Sequence, residues 1–338
     1  MLIAWLLRAG LEYSGRGPFG ARDRGRHESR GSRLRKVLIT GISGGQGRLL
    51  AKRLAERYEV CGVDRMPWEG APKNIRVHAI DLRKKRFHNI LRSEQPDAVV
   101  HLAFVRHFRS PSPVRHEVNV NGTRRLLEQC AESEIDRVVV LSSSYVYGAL
   151  PDNPRYMRED HALNVSRTFP EMRDLAEVEG LVGAFVWQYP NIATSVLRPV
   201  NTLGYYVHSA IGTYLKLDIL PTVTGYDPMM QFIHEEDLSE AIVLALEKRL
   251  HGVYNVAGPG AVPLTAAIRA IGRTYISVPE PVIGYLIRQL FRFKVYQFPE
   301  SALDFIKYPC TVSGERFVRA TGFKPLFSLE DIFASVAR

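Results

Sequence analysis

The chain predicts an α/β fold: a doubly wound parallel sheet with helices on both faces. Three observations carry this. From Val37 onward, short apolar runs alternate with helical segments, the rhythm of parallel strands joined by crossover helices. The first run, Val37 to Ile39, stops at Thr40 and opens into Gly41, Gly44, Gly45 and Gly47 before an amphipathic stretch, which reads as strand, tight turn, helix. A later apolar run, Val138 to Leu141, ends in Ser142, Ser143 and Ser144, which places hydroxyls at the carboxyl end of a strand, where open sheets bind ligands.

The glycine stretch suits a pyrophosphate, because backbone N–H groups and the positive end of a helix face the turn and a side chain there blocks close approach. The helix that follows, from about Gly47 through Glu56, turns Leu49, Leu50 and Leu54 inward. The second strand, Tyr58 to Val63, ends at Asp64 and Arg65. An acid at that distance from the glycines suits the adenosine ribose hydroxyls and favours NAD; Arg65 offers a partner for the extra phosphate of NADP. A third strand, Ile75 to Ile80, ends in Asp81-Leu82, where a carboxylate meets an adenine amino group. The run Arg83 to Arg86 reads as a solvated face. Asp97 to Ala103 is a buried fourth strand.

Composition narrows the class. Residues 1 to 36 hold nine Lys/Arg against three acids, so most of the +10 net charge lies in an extension without hydrophobic period. The remainder is only mildly basic, which argues against nucleic acid and leaves weak anion or peripheral membrane contact for the tail. Met1 to Leu7 is too short to span a bilayer, and residues 1–35 are expected to be disordered. Cys61, Cys130 and Cys310 have neither disulfide nor metal-ligand spacing, which fits a reducing cytoplasm; no metal is expected.

In order, the motifs TGISGGQG (Thr40 to Gly47), GVDR (Gly62 to Arg65), DL (Asp81-Leu82), HLA (His101 to Ala103), NVNGT (Asn119 to Thr123), LSSSYVYG (Leu141 to Gly148), LRPVNTLG (Leu197 to Gly204), FIHEEDLSEAI (Phe232 to Ile242) and GVYNVAG (Gly252 to Gly258) resemble the extended short-chain dehydrogenase/reductase superfamily, and within it the NAD-dependent epimerase/dehydratase group acting on nucleotide sugars. The resemblance implies a Rossmann-type domain over residues 36–200 and a mostly substrate-binding domain over 201–338, with about 232–258 returning to the Rossmann core. It implies NAD contacts at Gly41, Ser43, Gly44, Gly45, Gln46, Gly47, Asp64, Arg65, Asp81, Leu82, Leu102, Ala103, Phe104 and Pro199. A nucleotide sugar would meet Ser144, Tyr145 and Asn201. Homodimers form in such proteins through the helices flanking the fourth and fifth strands.

That family uses a Tyr acid/base, a Lys four residues later that lowers its pKa, and a Ser or Thr on the reacting hydroxyl. Ser143 matches the hydroxyl. Counting back from Glu179, Leu181 and Val182 puts Leu175 at the Lys position and Glu171 at the Tyr position, and no Tyr-x-x-x-Lys occurs anywhere in the chain. The chain resembles an atypical branch with a replacement like Phe169-Pro170. Glu171 and Tyr145 are the substitutes to consider, with Tyr156 and His161 on the following loop. A non-catalytic NAD(P)-sensing scaffold is the alternative to an enzyme.

In the last third, Glu235, Glu236 and Asp237 read as helix caps. The segment Pro279 to Phe298 mixes a strong apolar face with Arg288, Arg292 and Lys294, a pattern suited to packing in a substrate domain or to anionic lipid. Ala320 to Ile332 reads as a Gly-aromatic turn before a last helix.

Overall fold

The computed structural model describes residues 34–337 apart from 85, 106–109, 111 and 294–298. The extension up to Arg33, Lys85 of the basic run and Lys294 of the amphipathic segment lie outside those residues. The folded body begins two residues earlier than expected. Leu34 is buried in the core, and the Arg35 and Lys36 N–H groups both donate to the Asp97 carboxylate.

The first part runs β1 (Lys36–Thr40), α1 (Gly45–Leu54), β2 (Glu59–Asp64), β3 (Ile75–Ala79), α2 (Arg86–Glu94), β4 (Ala98–His101), α3 (Ser112–His116), α4 (Gly122–Glu132), β5 (Arg137–Leu141), α5 (Val165–Thr168), α6 (Arg173–Gln188) and β6 (Ala193–Pro199). It continues as β7 (Asn201–Leu203), α7 (Ala210–Leu215), β8 (Ile219–Val223), β9 (Met229–His234), α8 (Glu235–Glu247), β10 (Gly252–Val256), β11 (Ala261–Pro263), α9 (Leu264–Ala270), β12 (Thr274–Val278), α10 (Glu280–Arg292), α11 (Glu315–Thr321) and α12 (Leu329–Ala334).

Seven strands form one parallel sheet in the order β10-β6-β5-β4-β1-β2-β3. Strand order reverses between β1 and β4, which opens a crevice at their carboxyl ends. Both faces are covered, so successive residues of one strand enter different cores. Val37 and Ile39 pack with α1 and α8 residues, whereas Leu38 packs with residues of α2 and α4. This two-sided burial is why the strands read as continuous apolar runs rather than alternating ones. On α1 the buried positions are Gly47, Leu50, Ala51 and Leu54; Leu49 sits at the flank of that stripe and is only half-buried.

After β6 the chain builds two small sheets, β11-β9-β7 and β12-β8, around a third apolar core. Between β9 and β11 it returns to the large sheet through α8 and β10. Between α3 and α4, residues Glu117–Asn121 form a π-helical turn. Gly322, at φ +75°, ends α11, and a Ser328–Asp331 capping box starts α12. Among the described residues, no helix is long and apolar enough to cross a membrane.

Candidate active site

The turn after β1 is shaped by two glycines. Gly41 has φ +76°, and a Cβ there would lie 2.9 Å from the Ala103 backbone nitrogen across the crevice. At Gly47 a Cβ would come within 2.3 Å of the Gly41 carbonyl oxygen, so the helix can start this close to the turn only without a side chain. Gly44 occupies the N-cap of α1 with no side-chain cap, and no acid lies in the first turn. The helix therefore presents its leading N–H groups and positive dipole end to an anion, which fits the phosphates of a dinucleotide. Gly45 has a different reason to be glycine: its Cβ would fall 2.0 Å from the Tyr206 carbonyl oxygen, because the loop after β7 packs onto it.

That loop is held by Glu235, whose buried carboxylate accepts from the N–H groups of Tyr205, Tyr206 and Val207 at 2.7 to 3.1 Å. The expectation that Glu235, Glu236 and Asp237 cap their own helix does not hold. His234 caps α8 through Nδ1, Glu236 meets Arg53, and Asp237 accepts from Leu326 and Phe327 N–H. With His234 in the cap position, Glu235 and Asp237 satisfy amides of neighbouring loops instead of those of their own helix. Gln46 reinforces the clamp, donating to the Glu235 carbonyl and the Ser239 hydroxyl.

Asp64, at the end of β2, accepts from the Ser43 N–H at 3.1 Å and the Met66 N–H at 3.0 Å, and so ties the glycine turn to the strand beside it. Arg65 is exposed next to it. The carboxylate of Asp81, the expected adenine contact, takes the Arg83 N–H and side chain at 2.6 to 3.1 Å, and this guanidinium holds it below the usual carboxylate range. Leu82 is buried. Leu102, Ala103 and Phe104 follow β4 along the crevice, half-buried, with Phe104 packed 4.6 Å from the His101 ring. His101 bridges Thr40 (2.7 Å) and Thr123 (2.9 Å), and burial pushes it down to about 3, so it is a neutral spacer.

Ser143 follows β5 and is half-buried; its Oγ accepts from the Tyr145 N–H at 3.3 Å. Its neighbour Ser144 is buried, with its carbonyl facing the Cys310 thiol. The Tyr145 hydroxyl donates to Asn201 Oδ1 at 2.7 Å, so two expected substrate residues pair with each other. Burial pushes the Tyr145 phenol well above its ordinary range, and the Cys310 sulfur adds to the rise. Pro199 ends β6 buried beside this pair. Tyr156 is exposed, and His161 lies with its ring 6.0 Å from that of Tyr147.

The positions counted for the Tyr-Lys pair are otherwise engaged. Leu175 is buried in the core, and Glu171 accepts from the Ser301 hydroxyl at 2.8 Å. Phe169 is buried, 5.7 Å from Phe305, whose ring also lies 4.2 Å from Tyr145. Beyond these aromatics an open cleft with an accessible volume of about 70 Å³ continues between α7, α10 and the 3₁₀ segment Glu300–Ile306. Among the described residues no cluster of His, Cys, Asp or Glu is arranged to hold a metal.

Residues 37–257 match the family model described as NAD dependent epimerase/dehydratase. The chain belongs to that family. An uncharacterized protein of Mycobacterium tuberculosis is 28% identical over 314 residues, covering 88% of this chain and 82% of its own. A rice (Oryza sativa subsp. japonica) UDP-glucose 4-epimerase is 28% identical over 210 residues, covering 52% of this chain and 49% of its own. Among solved structures, the UDP-glucose 4-epimerase of Thermus thermophilus in complex with NAD is similar with a TM-score of 0.71 at 21% identity, covering 89% of this chain and 97% of its own. The corresponding enzyme of Stenotrophomonas maltophila, with NAD and formylated UDP-arabinopyranose, reaches a TM-score of 0.72 at 18% identity, covering 90% and 97%. These likenesses establish the Rossmann-like α/β fold of this epimerase/dehydratase family member.

Three features escaped the sequence reading. The Glu235 clamp had only an acidic triplet as its signal. The buried chain Ser142–Glu179–Arg198–Tyr147–Asn255 was hidden in motifs read for other purposes. The apolar cleft had as its signal only the apolar face of Pro279 to Phe298, from which Ile283 and Ile287 line it.

Proposed function

We propose that this chain binds NAD and presents a substrate hydroxyl or carbonyl to Ser143, with an acid/base group other than its family's Tyr-Lys pair, or with that function lost. The observation that carries the reading is the coexistence of an uncapped helix start at a glycine turn braced by Asp64 with a buried leucine, Leu175, where the lysine counts to. Gly41, Gly44 and the first turn of α1 would hold the pyrophosphate, and Asp64 the adenosine ribose. When bound, the cofactor supplies a hydride acceptor. Arg65, exposed beside Asp64, is the group through which NADP would compete. The sugar nucleotides held by the structural relatives suggest a polyol substrate; for this chain the supporting observation stops at the reacting hydroxyl.

Calorimetry of the full chain is expected to show NAD binding, tighter than NADP. Absence of binding by either overturns the cofactor assignment. Turnover of UDP-glucose or another hydroxyl substrate that disappears in Ser143→Ala would support catalysis.

The second reading is a cofactor-sensing scaffold. It is favoured by the state of both candidate substitutes, since Tyr145 is bonded to Asn201 with its phenol pushed up and Glu171 is taken by Ser301. It expects dinucleotide affinity without turnover. Pairing of two copies through α4 and α6 belongs to both readings and suits Trp187, which is 88% exposed on α6.

A further inference from the structure

The cleft walled in part by Tyr145 has described walls that suit a lipid rather than a nucleotide. Every described residue lining it is apolar or tyrosine. The two tyrosines spend their hydroxyls elsewhere: Tyr145 on Asn201, and Tyr214 on the Pro221 carbonyl at 3.0 Å. A diphosphate entering this space would lose hydration with no cation or free donor among the described lining residues to replace it, whereas an apolar body would lose little and gain contact with the walls.

The cleft touches the segment that carries Ser143 through Tyr145. Tyr145 forms part of its wall, and its N–H holds Ser143 Oγ two residues away. The opposite wall is α10, whose Ile283 and Ile287 face inward. The helix is tied down at both ends by ion pairs with the other wall segment: Glu280 with Lys307, and Arg288 bidentate with Glu300 at 2.7 Å.

The outside of the same helix is also apolar. Val282, Tyr285, Leu286 and Phe293 are 49%, 59%, 49% and 71% exposed, and Ile219 on the adjoining β8 is 63% exposed. A helix that is apolar on both sides, with Arg292 exposed at its C-terminal end, suits the surface of a bilayer with anionic headgroups.

We propose that this cleft receives the apolar body of a membrane lipid, with the lipid's hydroxyl or carbonyl end toward Ser143, and that the outer face of α10 rests on the bilayer that supplies it. This rests on the reading of Ser143 as the reaction site, and it names the substrate class of that site.

The test uses the full chain and two probes: cis-parinaric acid, followed by fluorescence, and phosphatidylcholine–phosphatidylglycerol vesicles, followed by flotation. The native chain is expected to bind both. Ala302→Trp, which fills the cleft, should weaken cis-parinaric acid binding by about tenfold or more while leaving NAD affinity unchanged. Ile287→Gln serves the same purpose if the larger residue prevents folding. Leu286→Glu should abolish flotation with the vesicles and leave NAD affinity intact. Failure of cis-parinaric acid to bind a chain that binds NAD overturns the proposal. So does UDP-glucose binding that Ala302→Trp abolishes, because a nucleotide would then be the occupant. Probe binding that survives both cleft variants also overturns it. Loss of NAD binding in the native chain, with the probe still bound, would remove the cofactor assignment and leave the cleft assignment standing.

Discussion

The Arg198 guanidinium meets the Glu179 carboxylate inside the protein, with Nε at 3.1 and 3.0 Å from its two oxygens. Both side chains are about 5% exposed or less. The pair also sets the strand end that leads to Ser143, since Glu179 accepts from the Ser142 hydroxyl and Arg198 donates to Tyr147 at 2.6 Å. Removing one partner leaves an uncompensated buried charge. Arg198→Met is expected to cost roughly 3–5 kcal/mol, and the double variant Arg198→Met with Glu179→Leu should recover a large part of that loss. Urea denaturation of the three proteins measures both effects.

The Glu235 clamp should be felt in the loop it holds. Glu235→Gln keeps the shape but removes the charge that strengthens three backbone bonds. We expect a loss of roughly 1–3 kcal/mol. Hydrogen exchange should speed up at the Tyr205, Tyr206 and Val207 amides before it does so in β9. Unchanged protection at those amides would show that the loop is held by something else.

His101 predicts an acid-sensitive core. Burial depresses it to about 3, so the folded state keeps the ring neutral while the unfolded chain takes up a proton near the ordinary pKa of about 6.5. The unfolded state binds more protons in that window. The stabilisation is present above the unfolded value and is lost as pH falls toward the folded one, amounting to about 2 kcal/mol by pH 5. Comparing denaturation midpoints of the native chain and His101→Gln at pH 8 and at pH 5 isolates it: the variant should lose less.

At the glycine turn, Gly41→Ala combines a positive φ with a close contact to Ala103. A penalty of about 1–2 kcal/mol in stability is expected, together with a loss of NAD affinity that exceeds it. Asp64→Ala should weaken NAD by about tenfold and narrow the preference over NADP, because Arg65 then faces the ribose alone. Equal affinity of Asp64→Ala and the native chain for NAD would remove Asp64 from the site.

What was legible in the sequence was local. The glycine turn, the acid after β2 and the hydroxyls after β5 could be placed because a strand that ends and a helix that begins constrain only a few neighbouring residues. The alternation of apolar runs with helical segments likewise gave the sheet, since both of its faces are buried. Asp81 shows what this reading left out: Arg83 stands two residues on and pairs with its carboxylate, a contact that sequence pattern did not signal.

By itself, the sequence determined that this chain builds a parallel α/β sheet with a phosphate-suited turn at its switch point, and that no Tyr-x-x-x-Lys pair stands above it. Tertiary structure decided the rest. Tyr206 arriving over Gly45, Glu235 gathering three distant amides, and Tyr145, Ile211, Ile287 and Phe305 meeting around one apolar cleft are all encounters between segments far apart in the chain. Each of those residues has an ordinary local reading, and only burial against the others gives it a role. The physical reason is that packing and desolvation act between neighbours in space, while sequence pattern reports only neighbours along the chain.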